Sequence, residues 1–311
     1  MLALTSTKTF FTTILLLASF CFSSLGYGDT NHQDNSLDPF VNKTPKRVAA
    51  LGWELVESVI ELGVTPIAIS DIKGYTEWVR VPNIPAATQD IGDRAEPNLE
   101  KLAQLKPDVI LINLAQKDIQ AKLERIAPVV FFDNYRADHN NAEQADKAFL
   151  KLATLLNKEE QAKAKLAQRE TRFLELQKRL ERAFPNGLPD VVTMRFANTT
   201  SAYVYGGNSM PQYALEKLGI KNPMTIENSQ WGLAQKRLTF LRSVNQGVVL
   251  YFQPFHQEEK LAKSPLWQAM PFVKQNKVAS IESTWTYGGA MSLQYLAESM
   301  TDALLKVANE Q

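Results

Sequence analysis

The run Glu159-Glu-Gln-Ala-Lys-Ala-Lys-Leu-Ala-Gln-Arg169-Glu-Thr-Arg-Phe173-Leu-Glu-Leu-Gln-Lys-Arg-Leu180-Glu-Arg-Ala-Phe184 decides the architecture. It holds no Gly or Pro, and its apolar residues at 162, 166, 173, 176, 180 and 184 fall on one stripe at helical spacing. The pattern predicts a continuous helix roughly 39 Å long at 1.5 Å per residue. The composition of Ala142 to Leu156 is similar, and Asn157 divides the two helices. Pro185-Asn-Gly-Leu-Pro189 ends the second. A coiled-coil partner surface would produce the same stripe. A rigid strut between two lobes agrees better with what lies on either side.

On the N-terminal side, strand-like and helix-like segments alternate. Arg47 to Leu51 reads as a short buried strand and Pro66 to Ile69 as a second. Between them Glu54 to Leu62 is a helix with apolar residues at 55, 56, 59, 60 and 62, ended by Gly63. Pro97 to Leu105 is a helix opened by proline, where the missing N–H costs nothing. Asp108 to Ile112 is the clearest strand, Lys117 to Arg125 is helical, and Val129 to Phe132 is a strand. On the C-terminal side Asp190 to Phe196, Ala202 to Tyr205, Gln246 to Phe252 and Lys277 to Ile281 read as strands. Asn208 to Leu218 and Met291 to Ala308 read as helices. Such alternation implies mostly parallel sheets covered on both faces. The fold class is α/β: two α/β lobes with mostly parallel sheets, bridged by one long helix. The boundaries are 45–140 for the first lobe, 141–185 for the helical linker and 186–311 for the second lobe, preceded by a polar, loose leader over 29–44.

Residues 1–28 have the layout of a secretory signal peptide: a weakly basic start carrying Lys8 and no acid, an apolar run from Phe10 to Phe22, and small residues to Gly28. Cys21 offers the alternative of a lipid anchor, but the bulky Phe20 stands where a lipoprotein signal needs a small residue. Cys21 is the one cysteine of the chain, so the exported protein would lack disulfides, thiolate metal sites and cysteine nucleophiles. A formal net charge of +1 gives no bias toward nucleic acid or an anionic membrane. No dinucleotide fingerprint, P-loop or nucleophile elbow is present. His32, His139 and His256 are scattered, a poor basis for a protein-built transition-metal site. No enzyme activity, cofactor or metal site is expected.

Several segments resemble the periplasmic iron(III)-siderophore-binding proteins of ABC importers. These are Arg47-Val-Ala-Ala-Leu-Gly-Trp53-Glu-Leu-Val-Glu57, Tyr75-Thr-Glu-Trp78, Ile91-Gly-Asp-Arg94-Ala-Glu-Pro-Asn-Leu-Glu100 and Leu105-Lys-Pro-Asp-Val-Ile110. In the second half Gly207-Asn-Ser209, Asn228-Ser-Gln-Trp231-Gly, Ser264-Pro-Leu-Trp267-Gln-Ala-Met-Pro271 and Thr284-Trp285-Thr-Tyr287-Gly-Gly289 continue the match. The resemblance spans residues 45 to 308 and is greatest to the ferrichrome-type, hydroxamate-binding group. It implies a class III periplasmic binding protein fold, with a ferric siderophore in the cleft between the lobes. It also implies a periplasmic location, a monomer, and delivery to the permease subunits of an inner-membrane importer. A ferric siderophore fills the coordination sphere of its own iron, so the protein need supply aromatic walls and guanidinium groups rather than metal ligands.

By this resemblance Arg94 meets the iron-bound oxygens, a task for which a planar fork of donors suits Arg better than Lys. An ion pair with Glu96 is the plainer alternative. Trp231, Trp285, Tyr287, Trp53 and Trp78 correspond to cleft positions, whereas Trp267 sits in an amphipathic segment and reads as core. Arg195 ends the first strand of the second lobe and could face Arg94 across the cleft, with a structural ion pair as the equal alternative. One departure stands out: Asn113-Leu-Ala-Gln116 lacks the tyrosine that the ferrichrome-type group carries there. That brings a citrate-based carboxylate or mixed carboxylate–hydroxamate ligand into consideration beside a simple hydroxamate. Glu100 and Glu216, one per lobe, are implied to dock on the importer. Haem, cobalamin or ferric dicitrate as cargo is the nearest rival reading, and a secreted α/β enzyme the more distant one.

Overall fold

The computed structural model describes residues 35–40 and 43–310. The expected signal peptide and Cys21 lie outside the described residues. The first sheet contains β1 (Val48–Ala50), β2 (Ala68–Ile69), β3 (Gln89–Asp90), β4 (Val109–Ile112) and β5 (Val129–Phe131), in the order β3-β2-β1-β4-β5. All its pairings are parallel. β1 and β4 at its centre are wholly buried, which explains their unbroken apolar sequence: helices cover both faces. The polar pair Gln89–Asp90 gave no apolar run, so β3 was not legible as a strand.

The second sheet orders β6 (Val191–Phe196), β7 (Ser201–Tyr205), β8 (Leu233–Arg237), β9 (Val248–Phe252) and β10 (Val278–Ile281) as β10-β9-β6-β7-β8. β6, β9 and β10 pair in parallel, while β7 pairs antiparallel with both β6 and β8. The link from β6 to β7 is too short for a crossover, and Asn198 tightens it by accepting the Thr200 and Ser201 N–H groups at 2.8 and 3.0 Å.

The long helix spans Glu159–Ala183, 25 residues, after Asn157 closes the Asn141–Leu156 helix in a left-handed conformation (φ 54°). Its N-terminal part packs into the first lobe, where Ala162 joins Val56, Phe149 and Leu152. Further along, Phe173, Leu176 and Leu180 join Leu215, Leu296 and Met300 of the second lobe. Between these two sets, Arg169 is buried. Its guanidinium binds both oxygens of Asp146 at 2.6 and 2.8 Å and the Ala290 carbonyl at 3.0 Å. It also meets Glu170, whose other oxygen takes the Lys217 ammonium at 2.6 Å. One side chain thus ties the two linker helices to the turn before the closing helix, Ser292–Asn309.

Two expectations shift. Asn35–Phe40, read as loose leader, is a short 3-10 helix, because Leu37 and Phe40 pack onto the first lobe's core. The helix expected from Pro97 begins at Leu99, since the Asn98 side chain accepts the Lys101 N–H and makes Asn98 the cap.

Candidate functional site

A crevice opens where the strands of the first sheet end. It is lined by Glu54 after β1, Asp71 after β2, Asp93 to Ala95 after β3, Asn113 to Ala115 after β4, and Phe132 to Tyr135 after β5. Parallel strands carry all their carboxyl ends to one edge, so the loops that follow them converge. The second lobe contributes Gln230 and Trp231 before β8, and Trp285 and Tyr287 after β10. The enclosed volume is about 800 Å³, in the usual range for a small-molecule site.

Chain connectivity changes direction between β1 and β4, and there the backbone comes close. A Cβ on Gly52 would lie 2.6 Å from Asn113 Nδ2. This contact lets Asn113 donate to the Glu54 carboxylate at 2.7 Å. Burial raises the pKa of Glu54, opposed by the Asn113 hydrogen bond and the nearby Arg94 charge.

Arg94 lies flat on Trp53, its guanidinium carbon 3.7 Å from the ring centre. Trp53 is held from below, its indole N–H donating to the Ser70 carbonyl at 3.1 Å. The Arg94 carbonyl accepts the Gln116 side-chain N–H at 2.8 Å, so its backbone is fixed by the loop after β4. Among the described residues no ion pair engages the Arg94 guanidinium, and Glu96 does not pair with it.

Tyr135, Trp231, Tyr287 and Trp285 line the crevice as a chain of rings that continues into Trp53, which was expected in the cleft but is buried beneath Arg94 and is not part of the lining. Trp53 meets Trp285 edge to face at 5.0 Å, Trp285 meets Tyr287 at 5.2 Å, Tyr287 meets Trp231 at 5.3 Å, and Trp231 meets Tyr135 at 5.4 Å. Trp231 is 43% exposed, while its neighbours are buried or half-buried. The Trp285 indole N–H is buried without a partner among the described residues. Burial raises the phenol pKa of Tyr135 and of Tyr287, so both stay protonated at neutral pH.

Trp78 and Arg195 do not line this cavity. Arg195 sits over the Trp78 ring at 5.0 Å, joining the two lobes beside the crevice, and its Nε and Nη2 are buried without acceptors among the described residues. Trp267 is buried in the second lobe's core. Glu100 and Glu216 are exposed on helices of different lobes, each accepting from a glutamine one turn away, at 3.5 and 2.9 Å. Tyr135 was not among the expected residues. The loop after β4 lacks the aromatic of the ferrichrome-type group, and the loop after β5 supplies one instead. The Tyr135 hydroxyl donates to the Gly288 carbonyl at 2.6 Å, across the lobes. Among the described residues no group of three or more His, Cys, Asp or Glu side chains could hold a metal ion.

The family model described as "periplasmic binding protein" matches residues 48–284. The chain belongs to that family. The Escherichia coli (strain K12) iron(3+)-hydroxamate-binding protein FhuD is 30% identical to this binding protein over 262 residues, 84% of this chain and 87% of its own. The E. coli Fe(3+) dicitrate-binding periplasmic protein FecB is 25% identical over 285 residues, 87% of each chain. Among solved structures, the Fe3+–Desferal-bound FhuD from Vibrio cholerae superimposes with a TM-score of 0.83 at 50% identity, covering 84% of this chain and 98% of its own.

Proposed function

We propose that this periplasmic binding protein captures a ferric hydroxamate siderophore in the inter-lobe crevice and delivers it to the permease of an ABC importer. One observation carries the reading: Arg94, spread on Trp53 at the head of an aromatic crevice, keeps its fork of donors for a ligand. Such a fork suits the paired oxygens around a chelated iron. The iron is cargo, held by the siderophore, and no catalytic step is proposed. The V. cholerae and E. coli relatives named for Desferal and hydroxamate support the class of ligand.

Charge favours hydroxamates over citrate-based carboxylates. Among the described residues Arg94 is the one cation in the lining, whereas Asp71, Asp93 and Asp133 all border the cavity. A ligand with free carboxylates would meet like charges, and like-charge juxtaposition costs affinity. Arg195, the second arginine expected in the cleft, is stacked on Trp78 instead. Tryptophan-quenching titration with ferric hydroxamate, catecholate and citrate complexes tests the reading. Tighter binding of ferric dicitrate than of any hydroxamate would overturn it.

The long helix implies little change of shape on binding. It has no Gly or Pro at which to hinge, and a bend would break backbone hydrogen bonds. Small-angle scattering with and without ferric desferrioxamine B should give nearly superimposable profiles. A large compaction would contradict the strut.

Glu100 and Glu216 provide one exposed acid on each lobe, suited to two arginine-bearing faces of a permease. Exposed ion pairs contribute little within a monomer, but complementary charges across an interface set orientation and association rate. The double variant Glu100→Arg, Glu216→Arg is expected to bind siderophore within a few-fold of the parent while uptake into proteoliposomes falls sharply. Normal uptake would remove these residues from the docking surface.

A further inference from the structure

The Trp53–Glu61 helix carries three buried glutamates. Glu54 borders the crevice, and Glu61 is paired with Lys165 at 2.6 Å. Glu57, fully buried, faces the other lobe. The Ser292 N–H donates to its Oε1 at 2.7 Å, the Ser292 hydroxyl donates to Oε2, and the Gly289 N–H reaches Oε2 at 3.4 Å. Ser292 opens the closing helix, and the residue at that helix's own cap position, Met291, makes no side-chain capping bond. A carboxyl group of the first lobe therefore binds the first N–H of a helix in the second and an N–H of the turn that leads into it.

The turn held in this way carries part of the binding site. Trp285 and Tyr287 immediately precede Gly288 and Gly289, and the turn lies directly on the glutamate helix. A Cβ at Gly289 would come within 2.5 Å of Ser58 Oγ and 3.0 Å of the Glu54 carbonyl. Sliding this turn by a fraction of its contact distance would carry the Trp285 ring off Trp53, the platform on which Arg94 rests.

We propose that Glu57 is a positioning residue for ligand binding: its hydrogen bonds to Ser292 and Gly289 fix the 285–289 turn, and so hold the Trp285 ring against Trp53 and the Tyr287 ring against Trp285. It acts through the geometry of its acceptors rather than through charge. Burial pushes the carboxyl pKa up to about 8, against the Ser292 hydrogen bond, with the Glu61 charge adding to the rise. The neutral acid then prevails near pH 7. Oε1 accepts the Ser292 N–H, and Oε2 shares a hydrogen bond with the Ser292 hydroxyl. Glutamine keeps an acceptor for the Ser292 N–H and a donor toward the Ser292 hydroxyl, losing only the long contact to the Gly289 N–H.

This role rests on the crevice being the siderophore site, and a readout on the ligand-free protein separates the two. The experiment combines near-UV circular dichroism of the ligand-free protein, sensitive to the Trp53–Trp285 pair, with quenching titration by ferric desferrioxamine B. Glu57→Gln is expected to keep the parent spectrum and an affinity within about threefold. Glu57→Leu, which removes the acceptors of the Ser292 hydroxyl and the Gly289 N–H and leaves the Ser292 N–H only its longer 3.2 Å bond to the Gly289 carbonyl, is expected to lose near-UV signal at unchanged far-UV signal and to bind roughly 10- to 100-fold more weakly. Ser292→Ala keeps the backbone bond and is the gentler variant if Glu57→Leu prevents folding; it should weaken binding roughly 2- to 10-fold. Parent spectra and parent affinity in both Glu57→Leu and Ser292→Ala would overturn the role. So would a Glu57→Gln protein as weak as Glu57→Leu. If the parent does not bind ferric desferrioxamine B while Glu57→Leu still alters the ligand-free spectrum, the hydroxamate reading fails and the positioning role stands.

Discussion

Arg94→Ala should weaken ferric hydroxamate binding by roughly 10- to 150-fold, the equivalent of the about 1.5–3 kcal/mol typical of a hydrogen bond to a charged group. Folding should survive, because the contacts that Arg94 makes within the protein are few. Its guanidinium rests on Trp53, and the bond to Gln116 uses the Arg94 carbonyl, which alanine retains. Arg94→Lys should not restore the parent affinity. An ammonium is a point charge and lacks the planar fork that both stacks on indole and reaches two oxygens at once. Quenching titrations of the two variants, with melting curves as the control for folding, check both statements. A folded Arg94→Ala protein with parent affinity would remove Arg94 from ligand recognition.

The largest stability effect is expected at Arg169. Its side chain is 3% exposed, and it holds both oxygens of Asp146 together with the Ala290 carbonyl. Arg169→Leu would strand Asp146 and leave Glu170 with Lys217 alone, and the loss of one partner of a buried pair costs about 3–5 kcal/mol. The lower end applies here, since Asp146 keeps 28% side-chain exposure and Glu170 44%. For a chain of this size that corresponds to a fall in melting temperature of roughly 5–10 °C. Replacing Asp146 by Leu in the same protein should recover part of the loss, because the stranded carboxylate goes with it. Urea unfolding of the single and double variants measures both steps. A single variant within about 0.5 kcal/mol of the parent, the range of ordinary surface substitutions, would mean that the cluster adds nothing.

The long helix and the central strands were legible because their burial patterns are written in apolar residues: one stripe for Ala162 to Leu180, and unbroken runs for β1 and β4. Strands β3 and β8 were missed because Gln89–Asp90 and Leu233–Arg237 are too polar to show a buried run. The burial of the Trp53–Glu61 helix was only half legible. Its apolar stripe at 55, 56, 59, 60 and 62 shows one buried face, but nothing in it accounts for the burial of Glu54, Glu57 and Glu61 on the other. The fold covers that face with the 285–292 turn and supplies each acid with a partner: Asn113, Ser292 and Lys165. Nothing in a local window announces such partners, which are far away in the chain. Of the residues that the resemblance placed in the cleft, Arg94, Trp231, Trp285 and Tyr287 line the crevice, and Trp53, Trp78 and Arg195 do not. Tyr135 was not legible, because its loop follows a different strand from the one where the ferrichrome-type group carries its aromatic.

The shared helix also bears on modularity. The same Glu159–Ala183 segment completes two cores, with Ala162 in one and Phe173, Leu176 and Leu180 in the other. A cut before it would leave the first lobe without its last packing partner, and a cut after it would strip a wall from the second. Neither half is an independent building block in the way that domains joined by a loose linker are. Recombination between relatives at the lobe boundary would therefore have to exchange helix and lobe together. Diversification of cargo is then confined to the loops at the strand ends, where side chains can be exchanged without disturbing either core.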